Sequence, residues 1–317
     1  MIPALIVLAV LLILWLIVSY SLFYLACVRV YTISSEPSGS WTKYADRIND
    51  CRVWMRENVT KKITLTSFDG LKLVGLLIPA EQAKGTIIVM HGYRSRADMD
   101  FAPEVKFLHE LGYRLIVAMQ RSHDESEGKY ITFGAKERYD CLEWAQYAAE
   151  RFGREQDIFL AGISMGASTV LMAAGLPLPE NVRGIIADCG FTSPWDIVSK
   201  VGRRDMHLPA FPFVYGVNLF ARWLAKFDLK ECSTLEAMKT NTRPILFIHG
   251  DADDFVPLAM TEKAYEACTA PKELLVIHGA GHAVSYLYDT ETCQRAIAAF
   301  IRKYAAKEQI YQKGNQT

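Results

Sequence analysis

A mostly parallel α/β sheet flanked by helices is the architecture this sequence predicts, and three observations lead to it. Short apolar runs alternate with helical patterns from about residue 86 to residue 306. Two of the runs, Thr86-Ile87-Ile88-Val89-Met90 and Pro244-Ile245-Leu246-Phe247-Ile248, are continuously apolar, as strands covered on both faces are. The third observation is Gly162-Ile163-Ser164-Met165-Gly166, directly after Ile158-Phe159-Leu160-Ala161. It reads as a strand, a sharp turn carrying a serine, and a helix beginning near Ala167.

In chain order, the first element is the uncharged stretch Ile2 to Val28, rich in Leu, Ile and Val. At 1.5 Å per residue it can cross a hydrocarbon core of about 30 Å with length to spare. Tyr20, Phe23 and Tyr24 suit an interfacial belt at its C-terminal end. No Lys or Arg precedes it and no small-x-small cleavage site follows, so a cleaved signal fits less well. Tyr24 stands where a lipoprotein signal at Cys27 needs an aliphatic residue. Residues 1–30 therefore read as a single-pass N-terminal transmembrane anchor. Arg29, Lys43 and Arg47 follow it, which by the positive-inside rule puts the C-terminal part in the cytoplasm.

Residues 31–60 read as a linker, Ser34-Ser35-Glu36-Pro37-Ser38-Gly39-Ser40, then a helix from Trp41 to Val59. That helix either packs on the domain or lies at the membrane surface. The main domain is expected at 61–307. A hairpin, Ile63 to Thr66 and Leu71 to Ile78, turns at Phe68-Asp69-Gly70. Strand Thr86 to Met90, helix Val105 to Leu111, strand Leu115 to Met119 and helix Lys136 to Phe152 follow. The last carries an apolar stripe through Cys141, Ala145, Ala148 and Phe152 and stops at Gly153. Beyond the serine turn come strands at 185–187, 244–248 and 274–277 and a helix from about Glu291 to Ala306. Residues 308–317 form a polar tail. The tract at about 192–240 interrupts the alternation with Trp195, Pro209, Phe211, Pro212, Phe213, Phe220 and Trp223. It reads as an inserted, mostly helical lid, whose apolar side chains either shape a pocket or pack the lid on the core.

Composition narrows the chemistry. The 317 residues carry no formal net charge, so no global field draws the chain to nucleic acid. Seven cysteines without CxxC pairing fit core positions in a reducing compartment. The serine turn asserts a nucleophile, Ser164. A serine hydroxyl needs a base in hydrogen-bond reach and a carboxylate to orient that base. In a parallel sheet such groups collect beyond the C-terminal ends of strands. Strand 274–277 leads into His278-Gly279-Ala280-Gly281-His282, where His282 is free to reach inward and His278 is too close to the strand. For the acid, Asp251, Asp253 and Asp254 follow strand 244–248, and Asp188 ends an earlier strand. His249-x-Asp251-x-Asp253 also has the form of a metal site, but no Cys or His cluster accompanies it. No metal and no cofactor are expected.

These motifs, with His91-Gly92-Tyr93, Ser126-Glu127-Gly128, His249-Gly250-Asp251-Ala252-Asp253-Asp254-Phe255-Val256-Pro257 and Gly281-His282, resemble the α/β-hydrolase superfamily over residues 60–305. In particular they resemble its bacterial membrane-anchored, serine aminopeptidase-like group. The resemblance implies the α/β-hydrolase fold and places the catalytic carboxylate on Asp253. It implies a Ser164, Asp253, His282 triad working through an acyl-enzyme, with the backbone N–H groups of Tyr93 and Met165 as the oxyanion hole. The expected reaction is hydrolysis of a carboxylic ester of a small-molecule or lipid acyl substrate. A peptidase of aminopeptidase type is the alternative; it needs an acidic subsite that the motifs do not identify. A non-catalytic binding protein on the same fold is the third reading, opposed by the intact Ser, Asp and His.

Overall fold

The computed structural model of the chain describes residues 2–32, 36–37 and 39–306. The expected polar tail and Ser34, Ser35 and Ser38 of the expected linker lie outside them. One eight-stranded sheet has the order β1-β2-β4-β3-β5-β6-β7-β8. β1 (Lys61–Thr66) and β2 (Lys72–Ile78) form the antiparallel hairpin, and β2 also runs antiparallel to β4 (Arg114–Met119). From β4 onward every pair is parallel: β3 (Gly85–Met90), β5 (Asp157–Ile163), β6 (Val182–Asp188), β7 (Ile245–Gly250) and β8 (Lys272–Ile277).

Strand periodicity splits the core into two layers. Ile87 and Val89 of β3 pack with α2 (Ala45–Asn58), α3 (Ala102–Glu110) and α11 (Thr290–Tyr304). Ile88 and Met90 face α4 (Glu137–Phe152), α5 (Met165–Ala173) and α9 (Leu258–Ala267). Alternate side chains of a strand point to opposite faces, and both faces here are covered, which is why β3 is apolar throughout.

Several boundaries differ from the sequence expectation. α3 starts at Ala102 because Pro103 is tolerated in a first helical turn, where its missing N–H has no intrahelical acceptor to lose. The helix expected from Trp41 is a 3-10 turn over Gly39–Tyr44 followed by α2. Its Ile48 and Met55 are buried, so α2 packs on the domain.

The tract at 192–240 is helical: α6 (Pro194–Met206), α7 (Ala210–Phe220), a π turn (Ala221–Ala225) and α8 (Thr234–Thr240). α8 packs on α5 and α9, with Met238 in the core layer. α6 and α7 instead build a third apolar cluster with the end of α1 (Ile2–Cys27), through Phe23, Cys27, Ile197, Val214, Val217 and Phe220. A four-residue helix, α10 (Ser285–Tyr288), lies between β8 and α11.

Candidate active site

The serine turn is built by the close approach of two strands and a helix. A Cβ on Gly162 would collide with the carbonyl of Gly166, and one on Gly166 with the carbonyl of Met90. Only glycine fits at either place. Ser164 itself holds φ 56° and ψ −116° at the cap of α5, a backbone state costing about 1–3 kcal/mol. Its N–H donates to Asp188 O at 2.8 Å, so β6 holds the turn in place. The helix therefore begins at Met165, two residues before the expected Ala167.

Three side chains meet there. Ser164 Oγ lies 2.9 Å from His282 Nε2, and His282 Nδ1 lies 2.7 Å from Asp253 Oδ2. A carboxylate only accepts, so Nδ1 carries the proton and Nε2 presents its lone pair to the hydroxyl. The other oxygen of Asp253 accepts from the N–H groups of Phe255 (2.9 Å) and Val256 (2.8 Å). His249 Nε2 sits 2.9 Å from Val256 O and 3.3 Å from Asp253 Oδ2. Burial pushes the Asp253 carboxyl up, but hydrogen bonds from His249 and His282 outweigh it and bring the group down to about 2. It is ionised at neutral pH.

The remaining carboxylates considered from the sequence go elsewhere. Asp251 binds His278 Nδ1 at 2.7 Å and Gly279 N at 2.7 Å on the surface, away from His249. Asp254 is exposed. Asp188 is buried and accepts from Ser285 Oγ at 3.0 Å; burial pushes it up to about 6. Cys189 Sγ lies within 4.8 Å of the Asp253 and His282 ligand atoms. Burial pushes its thiol far above the ordinary range, so it is a neutral apolar neighbour.

The loop after β3 packs against the serine: a Cβ on Gly92 would stand 3.4 Å from Ser164 Cβ. Of the groups that hold the loop, the sequence singled out only His91. Gly92 N donates to Asp100 Oδ2 at 2.6 Å, and Arg94 N donates to His123 Nε2 at 3.1 Å. Gln120 N donates to His91 Nε2 at 3.0 Å, and the His91 and His123 rings meet edge to face at 4.8 Å. The signal for Asp100, Gln120 and His123 was weak because each lies outside any motif and meets the loop only through the fold. Among the described residues neither the Tyr93 nor the Met165 N–H has an acceptor. Met165 opens α5, where the first N–H groups have no intrahelical partner.

The same loop grips the end of α1. Tyr93 Oη donates to Ala26 O at 2.7 Å, and Arg94 Nη2 donates to Leu25 O at 2.6 Å and Val28 O at 3.2 Å. Between α1, α6, α7 and Ser164 lies a mostly apolar cavity of about 400 Å³. Leu22, Leu25 and Ala26 of α1, Val198 and Val201 of α6, and Val214 and Val217 of α7 form its walls.

Comparison with known proteins agrees with this architecture. The Bacillus subtilis protein YqkD, itself uncharacterized, is 27% identical over 235 residues, covering 73% of this chain and 76% of its own. The Pyrococcus furiosus esterase Pf2001 superposes with a TM-score of 0.66 at 21% identity, over 87% of this chain and 100% of its own. Est1E of Butyrivibrio proteoclasticus, solved with ferulic acid, gives 0.59 at 21% identity, over 77% and 99%. These two likenesses establish the α/β-hydrolase fold. Residues 100–308 match the prolyl oligopeptidase family (Peptidase_S9). The chain belongs to that family and is a serine hydrolase of α/β fold.

Proposed function

We propose that this protein hydrolyses carboxylic esters of apolar acyl groups, with Ser164 as nucleophile. His282 takes the hydroxyl proton as Ser164 attacks the acyl carbonyl and returns it to the departing alcohol. Asp253 fixes the imidazole tautomer and stabilises the imidazolium. The N–H groups of Tyr93 and Met165 hold the tetrahedral oxyanion, and water then releases the acyl group. Losing one such donor typically costs about 10²–10³ in rate.

The observation that carries the ester reading is the apolar cavity beside Ser164. An aminopeptidase needs an unpaired acid there for the substrate amine. The acid at the cavity wall, Asp205, is already engaged by Arg204 through Nε at 2.5 Å and Nη2 at 2.9 Å. The family name favours an amide substrate, so a peptidase is the second reading. We also read α1 as a membrane anchor, supported by its 26 uncharged residues and a mean hydropathy of 3.0 over its most apolar 18 residues, with the domain on the cytoplasmic side.

A fluorophosphonate probe is expected to label the protein, and Ser164→Ala or His282→Ala to abolish labelling. p-Nitrophenyl esters of increasing chain length, run beside aminoacyl anilides, test the substrate. Turnover of anilides with no turnover of esters refutes the ester reading. A C-terminal reporter that reads external overturns the orientation.

A further inference from the structure

α7 carries no charged residue, and it runs alongside α1 in the same direction instead of covering the sheet. Trp15 Nε1 donates to Pro212 O at 3.2 Å. One turn later Gly216 meets Ser19 so closely that a Cβ would overlap its side chain. Phe220 then packs on Tyr20 and Phe23, with ring centroids 5.4 and 6.2 Å away. Moving back along α7 from Phe220 to Pro212 thus descends α1 from Phe23 to Trp15.

That descent has a depth. α1 is about 39 Å long at 1.5 Å per residue, against about 30 Å of hydrocarbon. Its C-terminal end is tied into the domain, so the surplus length lies there and puts Tyr20 to Tyr24 at headgroup level. Trp15, and with it Pro212, then stands below the headgroups, among acyl chains.

The outward side of α7 suits that position. Phe211, Tyr215, Leu219 and Trp223 are 73%, 49%, 47% and 65% exposed. Large apolar side chains this open to solvent, contiguous with the bare face of α1, mark a surface meant for an apolar phase. α7 itself carries no charge: Arg222 and Lys226 follow it at the shallow end, where lipid phosphates lie, and the nearest charges before it are Arg203, Arg204 and Asp205 at the end of α6. The Lys230 ammonium lies over the Trp195 ring at 3.9 Å and the Tyr215 ring at 5.0 Å, where the ring faces partner its charge.

We propose that α7 inserts beside α1 into one leaflet of a lipid bilayer, with Phe211 deepest and Trp223 at the headgroups. The proposal rests on reading α1 as a membrane helix and is independent of the reaction at Ser164. One consequence follows for the site. The cavity walled by α1 and α7 then opens onto lipid acyl chains, and a membrane-resident ester reaches Ser164 without crossing water.

The test uses full-length protein in phosphatidylcholine–phosphatidylglycerol vesicles. p-Benzoylphenylalanine replaces Phe211, Tyr215, Leu219 or Trp223 one at a time. Leu12 on α1 serves as the lipid-facing control and Glu291 on α11 as the water-facing one. Lipid adducts at 211, 215 and 219 are expected in yields of the same order as at 12, with none at 291. The attachment point should move from the acyl chain at 211 towards the glycerol at 223. Lipid capture at 12 with none at 211 and 215 overturns the proposal. So do adducts at 211 to a second copy of the chain. Absence of lipid adducts at 12 removes α1 from the bilayer and the proposal with it, while leaving the fluorophosphonate result at Ser164 untouched.

Discussion

The two sides of the cavity beside Ser164 are made of different material. On the sheet side the polar side chains beside the serine are tied: Ser164 to β6 and His282, His282 to Asp253, Asp253 to two backbone N–H groups and His249. On the other side α1, α6 and α7 offer aliphatic and aromatic surface, some of it exposed. Hydrogen bonds are directional and fix one geometry. Apolar contacts depend mainly on area and volume and accept different shapes. The proposed reaction therefore places chemistry on the rigid side and substrate choice on the apolar side.

The largest expected effect breaks the rigid side at its centre. Ser164→Ala should lower kcat for a short ester by about 10⁶-fold, since removing the nucleophile of such a unit costs nearly as much as removing the whole. Steady-state kinetics on p-nitrophenyl butyrate measures it. Asp253→Asn should cost about 10⁴-fold, because the amide cannot hold the imidazole tautomer. An unchanged pH-independent kcat for that variant would move the acid role elsewhere.

Gly166→Ala attacks the same side through the backbone. With the Met90 carbonyl in the way, overpacking should destabilise the fold by about 1–3 kcal/mol, read by denaturant titration. A gain in stability there contradicts the tight turn.

Asp188 sharpens the comparison by pH. Its folded pKa of about 6 stands above the ordinary 3.8 because burial disfavours its charge. Its favourable contribution is complete below about pH 3.8 and is lost as pH rises through 6. Asp188→Asn cannot ionise and still accepts from Ser285. It should gain on the order of 3 kcal/mol over wild type between pH 4 and pH 8. A difference in melting temperature that does not vary with pH rejects this account.

The smallest effect falls on the apolar side. Val201→Trp narrows the cavity and should lower kcat/KM for a dodecanoyl ester about tenfold while sparing the acetyl ester. Equal losses on both esters place Val201 outside the acyl path.

Much of this was legible in the sequence, and the reasons are local. β3 and β7 announced themselves as continuous apolar runs, and Gly162 and Gly166 marked a turn that no side chain can enter. Ser164 and His282 stood where strand ends put them. Asp253 could not be told from Asp251 and Asp254 by position alone, because neighbours in a loop differ only in direction. The structure sends Asp253 inward and Asp251 to His278. The roles of Asp100 and His123 in holding the loop after β3 were illegible, since their partners lie 8 and 29 residues away and share no motif.

The sequence by itself determined the strand–helix alternation, the serine turn and an N-terminal helix apolar enough to cross a bilayer, because each depends on residues close together in the chain. Only the tertiary structure decided that Tyr93 and Arg94 bind the carbonyls at the end of that helix. It alone decided that α7 runs beside the helix and that both wall the cavity at Ser164. Those contacts join residues up to 197 positions apart, and whether such segments meet is settled by packing the whole chain, not by any local preference.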